Sequence, residues 1–130
     1  MKETTSFSIP IGVFAFNRPD LLEKVLLRIS EIRPKKLYLM FDGPRKDNPS
    51  DLNSVEKCKE VATKLINWQC IVKRRFHDDN VGVYKNIALG AKWVFSMEEM
   101  AIFLEDDNYP DLSFFYYCEQ MLTRDRKSVV

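Results

Sequence analysis

Met100–Asn108, MAIFLEDDN, is the stretch on which the reading of this chain turns. Met100 to Leu104 is an unbroken apolar run, too short for a helix. It reads as a strand covered on both faces. It empties into three consecutive acids, Glu105-Asp106-Asp107, and Pro110 then opens a helix carrying Phe114, Phe115, Tyr117, Cys118, Met121 and Leu122. Strand, polar turn, helix is the repeating unit of α/β folds, in which ligands sit beyond the carboxyl ends of the strands.

Working outward, the same unit recurs three times. Ile9 to Phe16 (IPIGVFAF) is a buried strand, and Asn17-Arg18 leads into a helix begun by Pro19. Leu21, Leu22, Val25, Leu26, Ile29 and Ile32 recur on that helix until Pro34 stops it. Lys36 to Phe41 is a second strand, closed by Asp42-Gly43-Pro44, and Arg45 to Ser50 reads as a polar loop broken by Pro49. A helical stripe follows: Leu52, Val55, Cys58, Val61, Ala62, Leu65, Ile66. Gln69 to Phe76 is a third strand, His77 to Gly82 a polar turn, and Val83 to Phe95 a third helix. This order predicts a single α/β domain over residues 1–130. It would be a Rossmann-like three-layer sandwich with a mainly parallel sheet of about four strands, helices on both faces and right-handed crossovers. Phe114 to Tyr117, Trp68 and Trp93 are expected to serve core and helix packing.

Composition narrows the function. With 130 residues, 45% of them hydrophobic, the chain can build a core without disulfides. A formal net charge of +1 and short, separate basic clusters speak against a nucleic-acid partner. Three cysteines with no zinc spacing suit free thiols in a reducing compartment. No signal peptide or membrane span is visible, so a cytoplasmic protein is expected, with peripheral membrane association left open.

Polar residues gather after the strands: Asn17-Arg18, Asp42-Gly43, His77 to Gly82, and Glu105 to Asn108. In a parallel sheet all four segments share one edge. Three neighbouring acids at a partly desolvated strand end repel one another, and Mg²⁺ or Mn²⁺ would relieve the conflict with one or two carboxylates plus substrate phosphates. A solvated acidic turn ahead of a helix explains the triplet alone equally well. Arg18, before a helix start, suits a phosphate or a base edge, or else caps its own loop. Asp42 suits a nucleobase imide or ribose hydroxyl, or else forms the turn before Gly43-Pro44. Asn80-x-Gly82 with Lys85-Asn86 is a weak phosphate-loop signal, and the single histidine, His77, receives no role.

These stretches resemble the nucleotide-binding half of A-type fold glycosyltransferases. IPIGVFAFNRPDLLEKVL is similar to the opening strand and helix of that fold, and LYLMFDG to its second strand. GVYKNIALGAKWVF and AIFLEDDNYPDLSFFYYCEQML are similar to the helix, acidic-motif strand and helix that follow. The Glu-Asp-Asp form of the acidic motif resembles bacterial family-2-type enzymes and N-acetylglucosaminyltransferase I.

The resemblance implies that Asp107 ligates Mn²⁺ or Mg²⁺ and that Glu105 and Asp106 contact ribose or donor sugar. It also implies that Arg18 and Asp42 hold a nucleotide, expected to be uridine, and that Lys85 faces the phosphates. The donor would be a UDP-sugar and the acceptor a glycan or lipid-linked hydroxyl. The acceptor half and general base of that family lie downstream, so the chain reads as a donor half without a catalytic residue of its own. Rival readings are a non-catalytic sugar-nucleotide-binding or scaffold module, able to form a homo-oligomer, and a nucleotidyltransferase. The latter usually has a glycine-rich first loop, which Phe16-Asn17-Arg18-Pro19 does not provide.

Overall fold

A computed structural model of the chain describes residues 7–128. Strands and helices alternate: β1 (Ile11–Ala15), α1 (Pro19–Ile32), β2 (Lys36–Phe41), α2 (Pro49–Leu65), β3 (Ile71–Phe76), α3 (Val83–Phe95), β4 (Ile102–Glu105) and α4 (Leu112–Ser128). The four strands form one parallel sheet in the order β3-β2-β1-β4. The α/β, Rossmann-like expectation is met.

Side chains alternate across the sheet as the strand period requires. Ile11, Val13 and Ala15 join Leu37, Leu39, Phe41, Ile102 and Leu104 in the larger core, while Phe14, Tyr38 and Met40 face the other way into a smaller one. The larger core is covered by the apolar stripe of α1 (Leu22, Val25, Leu26, Ile29, Ile32), by Cys58 and Ala62 of α2, and by Phe115 of α4. The smaller core is covered by α3, through Val94 with Ile87, Ala91 and Trp93.

This division follows from handedness. From β1 to β3 the chain steps one way, so right-handed crossovers put α1 and α2 on one face. The return to β4 runs the other way and puts α3 on the opposite face. Gly90 lets α3 lie close to the sheet, since a Cβ there would stand 2.7 Å from Phe14 Cε1 and 2.8 Å from Met40 Cγ.

Some local expectations change. Pro49 is not a loop breaker but opens α2, where its missing N–H costs nothing. The fourth strand runs one residue further than the apolar pattern, so Glu105 is a strand residue paired with Phe14. The last helix starts at Leu112 rather than Pro110. Of the aromatic run Phe114 to Tyr117, only Phe115 is fully buried, and the other three are exposed. Consecutive helical residues lie about 100° apart, so four in a row cannot share one face. Among the described residues, no helix is long and apolar enough to cross a membrane.

Candidate functional site

All four strands deliver their carboxyl ends to the same edge of the sheet. The order in which strands are added reverses between β1 and β4, and beside this switch point lies a cleft of about 250 Å³. Phe14 to Phe16 of the β1 end, Asp42 after β2, Gly82, Val83 and Asn86 at the start of α3, and Glu105-Asp106 of the β4 end all contribute to its walls.

Arg18 stands at the N-cap of α1, immediately after β1. Its Nη2 donates to Asp106 Oδ1 at 2.7 Å and lies 4.0 Å from Asp107 Oδ2. The pairing of β1 with β4 brings these groups together across 88 residues of sequence. Asp106 is almost wholly buried, and that burial pushes its carboxyl above the ordinary aspartate range while the Arg18 guanidinium pulls it back. The Arg18 side chain remains 52% exposed, as free to meet a ligand as it is fixed by its partner.

The three acids of the triplet have three different surroundings. Glu105 is exposed on the cleft wall, and its backbone N–H donates to Asn108 Oδ1, closing the turn. Asp106 is buried against Arg18. Asp107 keeps its side chain half exposed. Among the described residues, no group of three or more His, Cys, Asp or Glu side chains converges to hold an ion. These acids do not form a metal cage made of protein alone.

Asp42 lines the cleft, yet its carboxylate is fully engaged. Oδ1 accepts from the backbone N–H groups of Gly43 and Val81, both at 2.8 Å. Oδ2 accepts from Gly82 N–H at 3.0 Å and from Asn80 Nδ2 at 3.1 Å. A carboxylate has about four acceptor positions, and here the protein fills them. Asp42 thus ties the β3–α3 loop to the end of β2 and supplies the negative charge favoured at the start of α3. Gly43 permits the close approach, because a Cβ would fall 2.6 Å from His77 O and 2.7 Å from Asp79 O. The weak phosphate-loop signal at Asn80-x-Gly82 has the same explanation: the N–H groups of Val81 and Gly82 are spent on Asp42.

Lys85 is exposed on the first turn of α3 and does not line the cleft. Its neighbour Asn86 does. That residue is buried, with Nδ2 donating to Met40 O at 3.1 Å and Oδ1 left without a protein partner.

Sequence reasoning overlooked a second charged cluster on the other side of the cleft. Asp51, in the first turn of α2, is buried. It accepts from Arg45 Nε at 2.6 Å, Arg45 Nη2 at 3.1 Å, Arg45 N–H at 3.1 Å and Asn17 Nδ2 at 2.9 Å. The guanidinium of Arg45 holds the Asp51 carboxyl well below the usual carboxylate range. Arg45 also lies over the Phe16 ring, 5.5 Å from its centroid, and lines the cleft. The available signal was Pro49-Ser50-Asp51, a helix start with an acid in its first turn.

Comparison of the chain with models of known protein families, with curated proteins and with solved structures finds no match.

Proposed function

We propose that the cleft binds the diphosphate end of a nucleotide-sugar donor together with a divalent metal, as the donor site of an A-type fold glycosyltransferase. One observation carries the reading. At the carboxyl edge of a parallel sheet, next to its switch point, a half-exposed arginine is fixed by a buried carboxylate while a second, half-exposed carboxylate lies 4.0 Å from it. That is the pairing a metal-bound diphosphate asks for: a guanidinium for phosphate oxygens and an oxygen ligand for the metal.

In this reading Arg18 contacts a phosphate and Asp106 braces Arg18. Asp107 ligates Mn²⁺ or Mg²⁺. Glu105, exposed on the wall, accepts from hydroxyls of the ribose or donor sugar. Asp42 fixes the far wall through its loop, and Lys85 needs no part. The cleft holds more carboxylates than guanidinium groups, so an anionic donor would enter it poorly without a cation. The metal, when bound, neutralises charge that develops on the leaving diphosphate.

Calorimetric titration of the chain with UDP-sugars, with and without Mn²⁺, tests the reading. Metal-dependent binding is expected in the wild type and loss of the metal dependence in Asp107→Ala, with the thermal midpoint unchanged because Asp107 is half exposed. No binding in the presence of Mn²⁺, or binding that Asp107→Ala leaves as it was, would sink the assignment.

A further inference from the structure

Two arginines line the cleft, and each is braced by its own buried carboxylate from a different side. Arg18 is held by Asp106, beyond the end of β4. Arg45, in the loop after β2, is held by Asp51 of α2. The bracing carboxylates are 5% and 2% exposed, whereas the arginine side chains are 52% and 46% exposed. A surface arginine that merely closed its own loop would have no need of a buried anion. A guanidinium anchored at Nε and one Nη keeps its remaining N–H groups directed elsewhere and loses little further freedom on meeting a ligand.

The β1–α1 loop links the two sides. Phe16 lies under the Arg45 guanidinium, Asn17 donates to Asp51, and Arg18 pairs with Asp106. Meanwhile Asp42 takes the N–H groups of Val81 and Gly82, the two that lead into α3. Arg18 and Arg45 are the cationic side chains that line this cleft, and so the charged groups that can meet phosphate oxygens there.

We propose that Arg45 is a second anion-binding residue of the cleft and Asp51 its positioning residue, so that a diphosphate is gripped between two separately braced guanidinium groups. The inference rests on the donor-site reading for the rest of the ligand, but the anion contact stands by itself. Arg45 adds a charge-assisted bond to a phosphate oxygen and contributes nothing to a nucleoside without phosphates. Asp51 acts only through Arg45.

The test compares wild type, Arg45→Gln, Asp51→Asn and the double variant. Each is titrated with UDP, with uridine and with inorganic pyrophosphate, all with Mg²⁺ present. Arg45→Gln is expected to weaken UDP and pyrophosphate about tenfold, the size of one charge-assisted bond, and to leave uridine unchanged. Asp51→Asn is expected to weaken the same two ligands. Arg45→Gln alone leaves a buried carboxylate without its cation and threatens the fold. The double variant removes both charges, and its affinities are expected to match those of Arg45→Gln. A double variant weaker than Arg45→Gln would mean that Asp51 acts independently, which overturns its positioning role.

UDP and pyrophosphate bound at wild-type strength by the double variant would overturn the inference, as would a wild type that binds neither. Pyrophosphate binding that depends on Arg45, in a protein that ignores every UDP-sugar, would leave the inference standing while the donor reading fails.

Discussion

Asp42→Asn separates two roles for the residue that sits deepest after β2. The substitution keeps the shape of the side chain but turns one carboxylate oxygen into an NH₂ group. Whichever way the amide lies, two of the four donors that meet Asp42 (Gly43 N–H and Val81 N–H, or Gly82 N–H and Asn80 Nδ2) then face another donor. A hydrogen bond to a charged acceptor contributes about 1.5–3 kcal/mol, so two of them amount to about 3–6 kcal/mol. The loop is only part-buried, and Asn80 keeps its second bond to Gly43 O, so the lower end applies, about 3 kcal/mol. With a urea m-value of about 2 kcal/mol/M, the midpoint should fall by about 1.5 M. Urea unfolding followed by tryptophan fluorescence, from Trp68 and Trp93, measures it directly. A variant within about 0.5 kcal/mol of wild type, the range of an ordinary surface change, would refute the view of Asp42 as a saturated anchor. If that stable variant also lost uridine binding, Asp42 would be a ligand contact instead.

Gly90→Ala should lower the thermal midpoint although alanine is the better helix former. The gain of about 1 kcal/mol in propensity is outweighed by driving a methyl against Phe14 and Met40, both on the sheet, at a cost of about 1–3 kcal/mol. Asp51 predicts the shape of the acid limb. Its folded pKa lies below the unfolded value, so its contribution is present above about pH 4 and is lost as pH falls through the depressed folded value. Asp51→Asn should therefore flatten the acid limb of a stability–pH profile, and a limb as steep as in the wild type would count against the Arg45–Asp51 pair.

The sheet was legible because each strand is a short apolar run and each helix carries a stripe, and two periods suffice to tell them apart. The edge of the sheet that carries the site was legible for the same reason: in a parallel sheet, whatever follows the strands lies together. Individual roles were not. Asp42 and Asp107 are both acids at strand ends, yet one is saturated by the donors of the 77–82 loop and Gly43 while the other stays half exposed beside Arg18, and the path of that loop sets them apart. Glu105-Asp106-Asp107 look equivalent in sequence, but the turn closed by Asn108 sends them to different surroundings. Arg45 reads as loop because its partner Asp51 lies past Pro49, and that proline begins α2 rather than breaking the loop. Lys85 fell outside the cleft because α3 turns the adjacent Asn86 inward and leaves the lysine in solvent.

The sheet order has a consequence for when the cleft comes into being. Pairing β1 with β2 and β2 with β3 closes short stretches of chain, each bridged by one helix. Seating β4 beside β1 closes a far longer one, and chain entropy opposes it more. Asp106 arrives at Arg18 only with that last strand. A molecule with β1, β2 and β3 joined already owns most of its core and the whole Arg45–Asp51–Asn17 cluster, but its acidic wall is missing. The two halves of the site thus differ in the range of the pairing they depend on: one is made from neighbouring units, and the other requires the longest-range pairing of the sheet.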